Sequence, residues 1–267
     1  MPKIKLIATD MDGTLLNDEK KITAENAAAI KCAKEHGIKF VLASGRMFEA
    51  SKPYADALGL DTPIISYNGS LVKDCLSEET LFELFMDVDV AFAVLQYCHK
   101  INLHMQAYRN GNVYTDYLDA SSIWYSKIIN RPVIPLGEKL FKEKHQFYKL
   151  LGITDPEKGR GIALDILQHF TGQIEITSSA PGFVEIVTPG INKWSAVKRL
   201  AEMWHIKPNE IMCIGDSYND LSMVENASIG VAVANANEKV KAHAKFIVAD
   251  NNHSGVAEAI EIALDRE

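Results

Sequence analysis

The sequence has few cysteines, no long apolar run, no excess of positive charge and no internal repeat, and each absence removes a class of protein. Its four cysteines, Cys32, Cys75, Cys98 and Cys213, are widely scattered and none forms a CxxC pair. Such spacing argues against a disulfide framework or a zinc site and fits a reducing compartment. No segment approaches the roughly 20 consecutive apolar residues that a membrane helix requires. The apolar run at the amino terminus is too short for a signal peptide, so a cytoplasmic protein without a membrane partner is expected. The net charge is −7, which leaves no broad basic footprint for nucleic acid. An anionic substrate would have to be held by local cations against that background. The eight histidines show no HExxH or other ligand spacing. No GxxxxGK[ST] loop is found either, which argues against a nucleotide kinase.

What is present is ordinary globular material. The 267 residues are 47% hydrophobic and 24% charged, enough for a packed interior and too many for one small core. Residues 1–82 alternate short apolar runs with helical stretches: a strand over 5–9, a helix capped by Thr23 and closed by Gly37, strands over 38–43 and 63–66, and a turn at Asn68-Gly69. Residues 83–185 read differently, with a helix near 88–100, a hairpin turn at 109–112, strands in KLLGIT, QIEITS and FVEIV, and a helix near 156–170. From 186 the first texture returns, with a helix near 192–204, the strand IMCI, a helix from Asn219, then IGVAV, KFIV and a last helix near 255–264. Strand–helix alternation implies a parallel sheet covered on both faces, and hairpins imply an antiparallel one. The expected fold is therefore α/β: a doubly wound, mostly parallel core sheet from 1–82 and 186–267, with an α+β domain inserted at 83–185. A monomer or a homodimer is expected.

Four short segments carry chemistry. The first is DMDGT at 10–14, directly after a strand, where ligands bind in open parallel sheets. Asp10 and Asp12 there repel each other and lose hydration, so they call for a cation, and hard oxygen ligands suit magnesium. The second is GDSYND at 215–220, again after a strand, where Asp216, Asn219 and Asp220 offer further oxygens to complete a metal site with Asp10. The third is Ser44-Gly45-Arg46, a hydroxyl and free amides at a helix start that suit an anion. The fourth is Lys193, near a helix start where the dipole disfavours it and an anion would compensate. Taken singly, these segments also read as a polar turn, a helix cap, a tight turn and a solvated lysine. Their order along the chain is the stronger signal.

In that order the segments resemble the haloacid dehalogenase-like superfamily, and the gap between Ser44 and Lys193 resembles its Cof-type phosphatases, which carry a large α/β cap there. The resemblance implies a Rossmann-like core and a magnesium-dependent phosphatase acting on a small phosphorylated metabolite such as a sugar phosphate. It implies that Asp10 is the nucleophile forming an aspartyl phosphate and Asp12 the acid and then the base, with a pKa tuned near the working pH. It further implies that Asp10, the main-chain carbonyl of Asp12 and Asp216 hold Mg2+, with Asp220 supporting the metal directly or through water. Ser44, Gly45 and Lys193 correspond to the phosphoryl-binding set, and Asn219 to a position near phosphate or substrate. Asn68 is either a substrate contact or a plain hairpin turn, and Thr14 is expected to be structural or cap-coupled rather than catalytic. One departure is Trp194, where relatives often have glycine after the lysine.

The inserted domain should set specificity. Arg109, Asn110, Tyr114, Tyr117, Trp124 and Tyr125 form a polar–aromatic stretch that could stack on a ring or hold a second anion, although core or surface filling accounts for most of them. Two other functions fit the same motifs: a phosphoryl transferase or mutase, with a hydroxyl replacing water as acceptor, and a catalytically silent ligand-binding regulator.

Overall fold

The computed structural model describes residues 3–129 and 131–265. The chain opens with β1 (Leu6–Thr9), α1 (Ala24–Glu35), β2 (Lys39–Leu42), α2 (Phe48–Ala57), β3 (Ile64–Ser66), β4 (Leu71–Lys73) and β5 (Thr80–Glu83). Its middle holds α3 (Val88–Lys100), β6 (His104–Arg109), β7 (Asn112–Thr115), α4 (Ala120–Ile129), β8 (Val133–Pro135), α5 (Lys139–Lys142), β9 (Lys149–Ile153), α6 (Pro156–His169), β10 (Glu175–Thr177) and β11 (Phe183–Val187). It closes with α7 (Lys193–Met203), β12 (Ile211–Gly215), α8 (Leu221–Asn226), β13 (Ile229–Val233), α9 (Glu238–His243), β14 (Phe246–Val248) and α10 (Gly255–Leu264).

Five strands pair in parallel in the order β14-β13-β12-β1-β2. Strands β1, β12 and β13 are buried along their whole length, and continuous apolar runs are what a sheet covered on both faces selects. Successive side chains serve opposite layers. Ile7, Phe40, Leu42, Met212 and Ile214 join Ile30 and Ala33 of α1 and Val256 and Ile260 of α10. Leu6, Ala8, Val41, Ile211 and Cys213 instead meet Ala196, Val197 and Leu200 of α7. Burial of such a side chain stabilises by about 1.5–3 kcal/mol, so either layer outweighs any single cap. Local signals still set the ends: the Thr23 hydroxyl accepts from the Asn26 amide at 3.2 Å to start α1, and Gly37 leaves it at φ +77°.

Beyond β2 the pairing continues as a single parallel bridge, Ala43 to Ile65, into the antiparallel sheet β3-β4-β5. Asn68-Gly69 turns between β3 and β4, with Tyr67, Asn68 and Gly69 all at positive φ. Gly69 is needed for closeness as well as conformation, because a Cβ there would lie 2.4 Å from the Asn192 carbonyl oxygen at the start of α7.

The second large sheet runs β10-β11-β9-β6-β7-β8 and is antiparallel except between β7 and β8. Asn110 and Gly111, at φ 49° and 68°, make the two-residue turn of the β6–β7 hairpin. One face packs Leu150, Val184 and Ile186 on α3 and α6. By the two-residue period of a strand, the opposite face presents Lys149, Leu151 and Glu185, and Leu151 packs in the larger cluster shared with the parallel sheet.

Candidate active site

The chain runs outward from β1 to β2 on one side and lies next to β12 on the other, so the carboxyl end of β1 is a switch point of the parallel sheet. Three of the four predicted segments leave strands at that edge: 10–14 after β1, Ser44-Gly45-Arg46 after β2 and 215–220 at the end of β12. The fourth comes from α7, whose first residue is Lys193. Asn192 caps that helix, accepting from the Ser195 amide at 3.0 Å, so cap geometry fixes where the lysine starts.

Lys193 is fully buried and its ammonium bridges Asp10 Oδ1 and Asp220 Oδ1, both at 2.5 Å. Asp220 Oδ2 accepts from the backbone amides of Asp216 and Ser217, each at 3.0 Å, which ties the loop after β12 to the same carboxylate. Asp216 accepts from the Thr14 hydroxyl at 2.6 Å and the Ser217 hydroxyl at 2.8 Å. Thr14 thus fixes the orientation of the Asp216 carboxylate. Oxygens of Asp10, Asp216 and Asp220 lie within 4.8 Å of one another, all buried.

These carboxylates are poised to hold a cation. Burial, then the Asp220 charge, pushes Asp10 well above its ordinary value, with Lys193 acting in the opposite direction. Burial and Asp220 likewise push Asp216 up to about 6. Lys193 is itself raised, because Asp10 and Asp220 outweigh the burial that opposes its charge. Three buried carboxylates against one ammonium leave a local excess of negative charge, and a divalent ion with a preference for oxygen fits that donor set. Asp220 ties Lys193 to the loop after β12, while Asp10 and Asp216 are the two carboxylates of the cluster that line the cavity.

Asp12 stands apart from the cluster. Its carboxylate takes a two-pronged bond from Arg46, at 2.6 and 2.7 Å, and a third from Lys20 at 2.9 Å. Burial alone would raise it, but Arg46 and Lys20 outweigh that and hold it at about 2. The expected tuning near the working pH is therefore absent in this geometry, because two cations share one carboxylate. Arg46 is the ion-pair partner of the acid–base candidate.

Ser44 is buried, and its hydroxyl accepts from the Arg46 amide at 3.1 Å. Gly45 has no room for a Cβ, which would sit 2.9 Å from Asn68 Oδ1. Asn68 makes the turn after β3 and is buried beside the site. Its amide donates to Glu185 at 2.7 Å and accepts from Asn219 at 3.1 Å. Glu185 also accepts from Lys149 at 2.7 Å and from the Ser179 hydroxyl. Lys149 and Glu185 were not singled out in the sequence, although each is the one charge inside an apolar strand run, KLLGI or FVEIV.

The site opens on a cavity of about 350 Å³ between the two large sheets, lined by Asp10, Asp12, Ser44, Gly45, Asp216 and Asn219 on one side. Trp124, Tyr125, Ile128, Phe183 and Lys149 line the other. Of the six residues proposed in the polar–aromatic stretch, Trp124 and Tyr125 reach it. Tyr114 packs in the core of the inserted sheet, Arg109 lies beside His145, Asn110 makes the hairpin turn and Tyr117 is exposed. Trp194 is half-buried against the α7 face of the parallel sheet, so it does not disturb Lys193.

A family model described as haloacid dehalogenase-like hydrolase matches residues 7–260. The chain belongs to that family. This hydrolase is 35% identical over 263 residues to the protein YxeH of Bacillus subtilis (strain 168), covering 96% of this chain and 97% of the relative. It is 33% identical over 260 residues to the 5-amino-6-(5-phospho-D-ribitylamino)uracil phosphatase YcsE of the same organism, covering 96% and 94%. Among solved structures, a haloacid dehalogenase-like hydrolase from Bacteroides thetaiotaomicron matches with a TM-score of 0.85 at 31% identity, covering 97% of this chain and 99% of that one. The hydrolase is a Cof-type phosphatase, a phosphoric monoester hydrolase.

Proposed function

We propose that this phosphatase uses Mg2+ and an aspartyl-phosphate intermediate at Asp10 to hydrolyse a small phosphorylated metabolite such as a sugar phosphate. One observation carries the reading: Asp10, Lys193 and the pair Asp216 and Asp220, from three distant parts of the chain, meet in one buried cluster that reaches a cavity through Asp10 and Asp216. Asp10, Asp216 and the main-chain carbonyl of Asp12 would hold the ion, with Asp220 in support. When bound, the ion offsets the negative charge shared by the attacking carboxylate and the phosphoryl oxygens.

The residues supply the rest. Lys193 engages Oδ1 of Asp10, which leaves Oδ2 to form the bond to phosphorus while the ester oxygen departs. Asp12 gives that oxygen a proton. It then takes one from the water that cleaves the aspartyl phosphate, which releases phosphate and restores Asp10. At about 2, Asp12 is ready as the base but lacks the proton the first step needs. A phosphate group that draws Arg46 and Lys20 to itself would free Asp12 to take up that proton. Ser44, the Gly45 amide, Lys193 and Asn219 would hold the remaining phosphoryl oxygens. The domain spanning 83–185 acts as a cap over residues 1–82 and 186–267 and supplies the wall that meets the leaving group. A named relative, YcsE, acts on a phosphorylated ribityl compound, which supports a polyol-like leaving group here.

The test is hydrolysis of an aryl phosphate. Asp10→Asn should lose turnover by about three orders of magnitude or more, since without the nucleophile the covalent route closes. Chelator should remove activity from the unaltered protein, and magnesium should restore it. Full turnover in excess chelator would contradict the metal role.

A further inference from the structure

The cavity side opposite the carboxylate cluster carries a buried ion pair, Lys149 with Glu185, that the proposed phosphoryl chemistry does not use. Lys149 and Glu185 come from neighbouring positions in the inserted sheet and are 3% and 1% exposed, yet Lys149 lines the cavity. Its ammonium has three N–H groups. One goes to Glu185 at 2.7 Å, and the Tyr108 ring lies 4.7 Å away as a second, softer neighbour. At least one donor remains for something else. The ammonium also sits beside the phosphoryl loop: a Cβ on Gly45 would be 3.5 Å from it.

The same assembly fixes an acceptor. Glu185 stays ionised, since Lys149 and its hydrogen bonds outweigh the burial that would raise it. A carboxylate only accepts, so the Asn68 amide must turn its NH2 to Glu185, as it does at 2.7 Å. The Asn68 oxygen is then committed to the NH2 of Asn219, at 3.1 Å. This relay leaves Asn219 Oδ1 as a buried acceptor without a hydrogen-bond partner among the described residues. Buried polar atoms of that kind call for a partner. A spare donor and an unpaired acceptor in one cavity are the complement of a hydroxyl group, which both accepts and donates. The partner is uncharged, because Glu185 already neutralises Lys149.

We propose that Lys149, held by Glu185, is a specificity-determining residue contributed by the inserted domain, and that with Asn219 it recognises a hydroxyl of the leaving group near the phosphoester. This rests on the phosphatase reading above, and Glu185 and Asn68 act as positioning residues. The test compares kcat/KM for hexose and pentose phosphates with those for their single-deoxy counterparts, using the magnesium-loaded full chain. An aryl phosphate monitors the phosphoryl end throughout. The unaltered protein should prefer one hydroxylated member over its deoxy counterpart by about tenfold or more. Lys149→Met should erase most of that preference. The double variant Lys149→Met/Glu185→Gln should do the same without stranding a buried charge, which keeps the comparison readable if the single variant folds poorly. Absence of any deoxy discrimination in the unaltered protein, or an equal loss on all substrates in the double variant, would overturn the proposal. Failure to hydrolyse even the aryl phosphate would instead count against the phosphatase chemistry beneath it.

Discussion

At the residue scale, the site is a problem in charge balance. Asp216 is pushed up to about 6 because it is buried beside Asp220, and burial and the Asp220 charge likewise push Asp10 well above its ordinary value. A metal ligand must be deprotonated, so protons and magnesium compete for these oxygens. The sign follows for Asp216: with its value raised to about 6, its share of the affinity is present above pH 6 and lost as pH falls through it. Magnesium affinity measured by calorimetry should weaken by up to about tenfold per pH unit below 6 for each proton displaced. A flat affinity from pH 7 to pH 5 would show that Asp216 is not a ligand. The four motifs were legible as residue types in order. The state of Asp12 was not, because nothing in DMDGT says that Lys20 and Arg46, 8 and 34 positions away, converge on one carboxylate.

At the element scale, two close approaches carry the arrangement. Gly69 lets the β3–β4 turn touch the start of α7 and so sets where Lys193 begins. Gly69→Ala meets both a φ of +107° and a 2.4 Å contact with a backbone oxygen, so the turn or the helix must move. The expected cost is about 1–3 kcal/mol in urea unfolding, with kcat falling as well because Lys193 moves with its helix. The second is the buried pair between β9 and β11. Glu185→Ala strands the Lys149 ammonium and should cost about 3–5 kcal/mol, most of it recovered when Lys149→Met is added. Independent, additive losses in the two variants would argue against a coupled pair.

Strands β1, β12 and β13 were readable from sequence because burial on both faces demands unbroken apolar runs. β5 was not, since it is exposed along most of its length and reads as loop. Nor was α4, where the polar–aromatic text of 120–129 hides a helix that carries Trp124 and Tyr125 to the cavity. The predicted helix from Asn219 begins instead at Leu221, after a tighter turn that places Asn219 and Asp220 in the site.

At the scale of the whole molecule, function lies in the gap between a parallel sheet and an antiparallel one. The loops at the edge of the parallel sheet supply the carboxylates, the antiparallel sheet supplies Phe183 and Lys149, and α4 adds Trp124 and Tyr125. The presence of two kinds of sheet was visible as a change of texture along the chain. The pairing of Glu185 with Asn68 across 117 positions was not, because a contact between two sheets leaves no local pattern. The net charge of −7 makes the local cations decisive, since phosphate enters against the field of the rest of the protein.

The central claim is that Asp10 becomes phosphorylated during turnover. Acid-quenched reactions in their first turnover, digested and analysed by mass spectrometry, should show one added phosphoryl group on the peptide that carries Asp10. That label should decay as free phosphate appears and should be absent in Asp10→Asn. Release of phosphate at full rate with no labelled Asp10 at any time point would contradict the account.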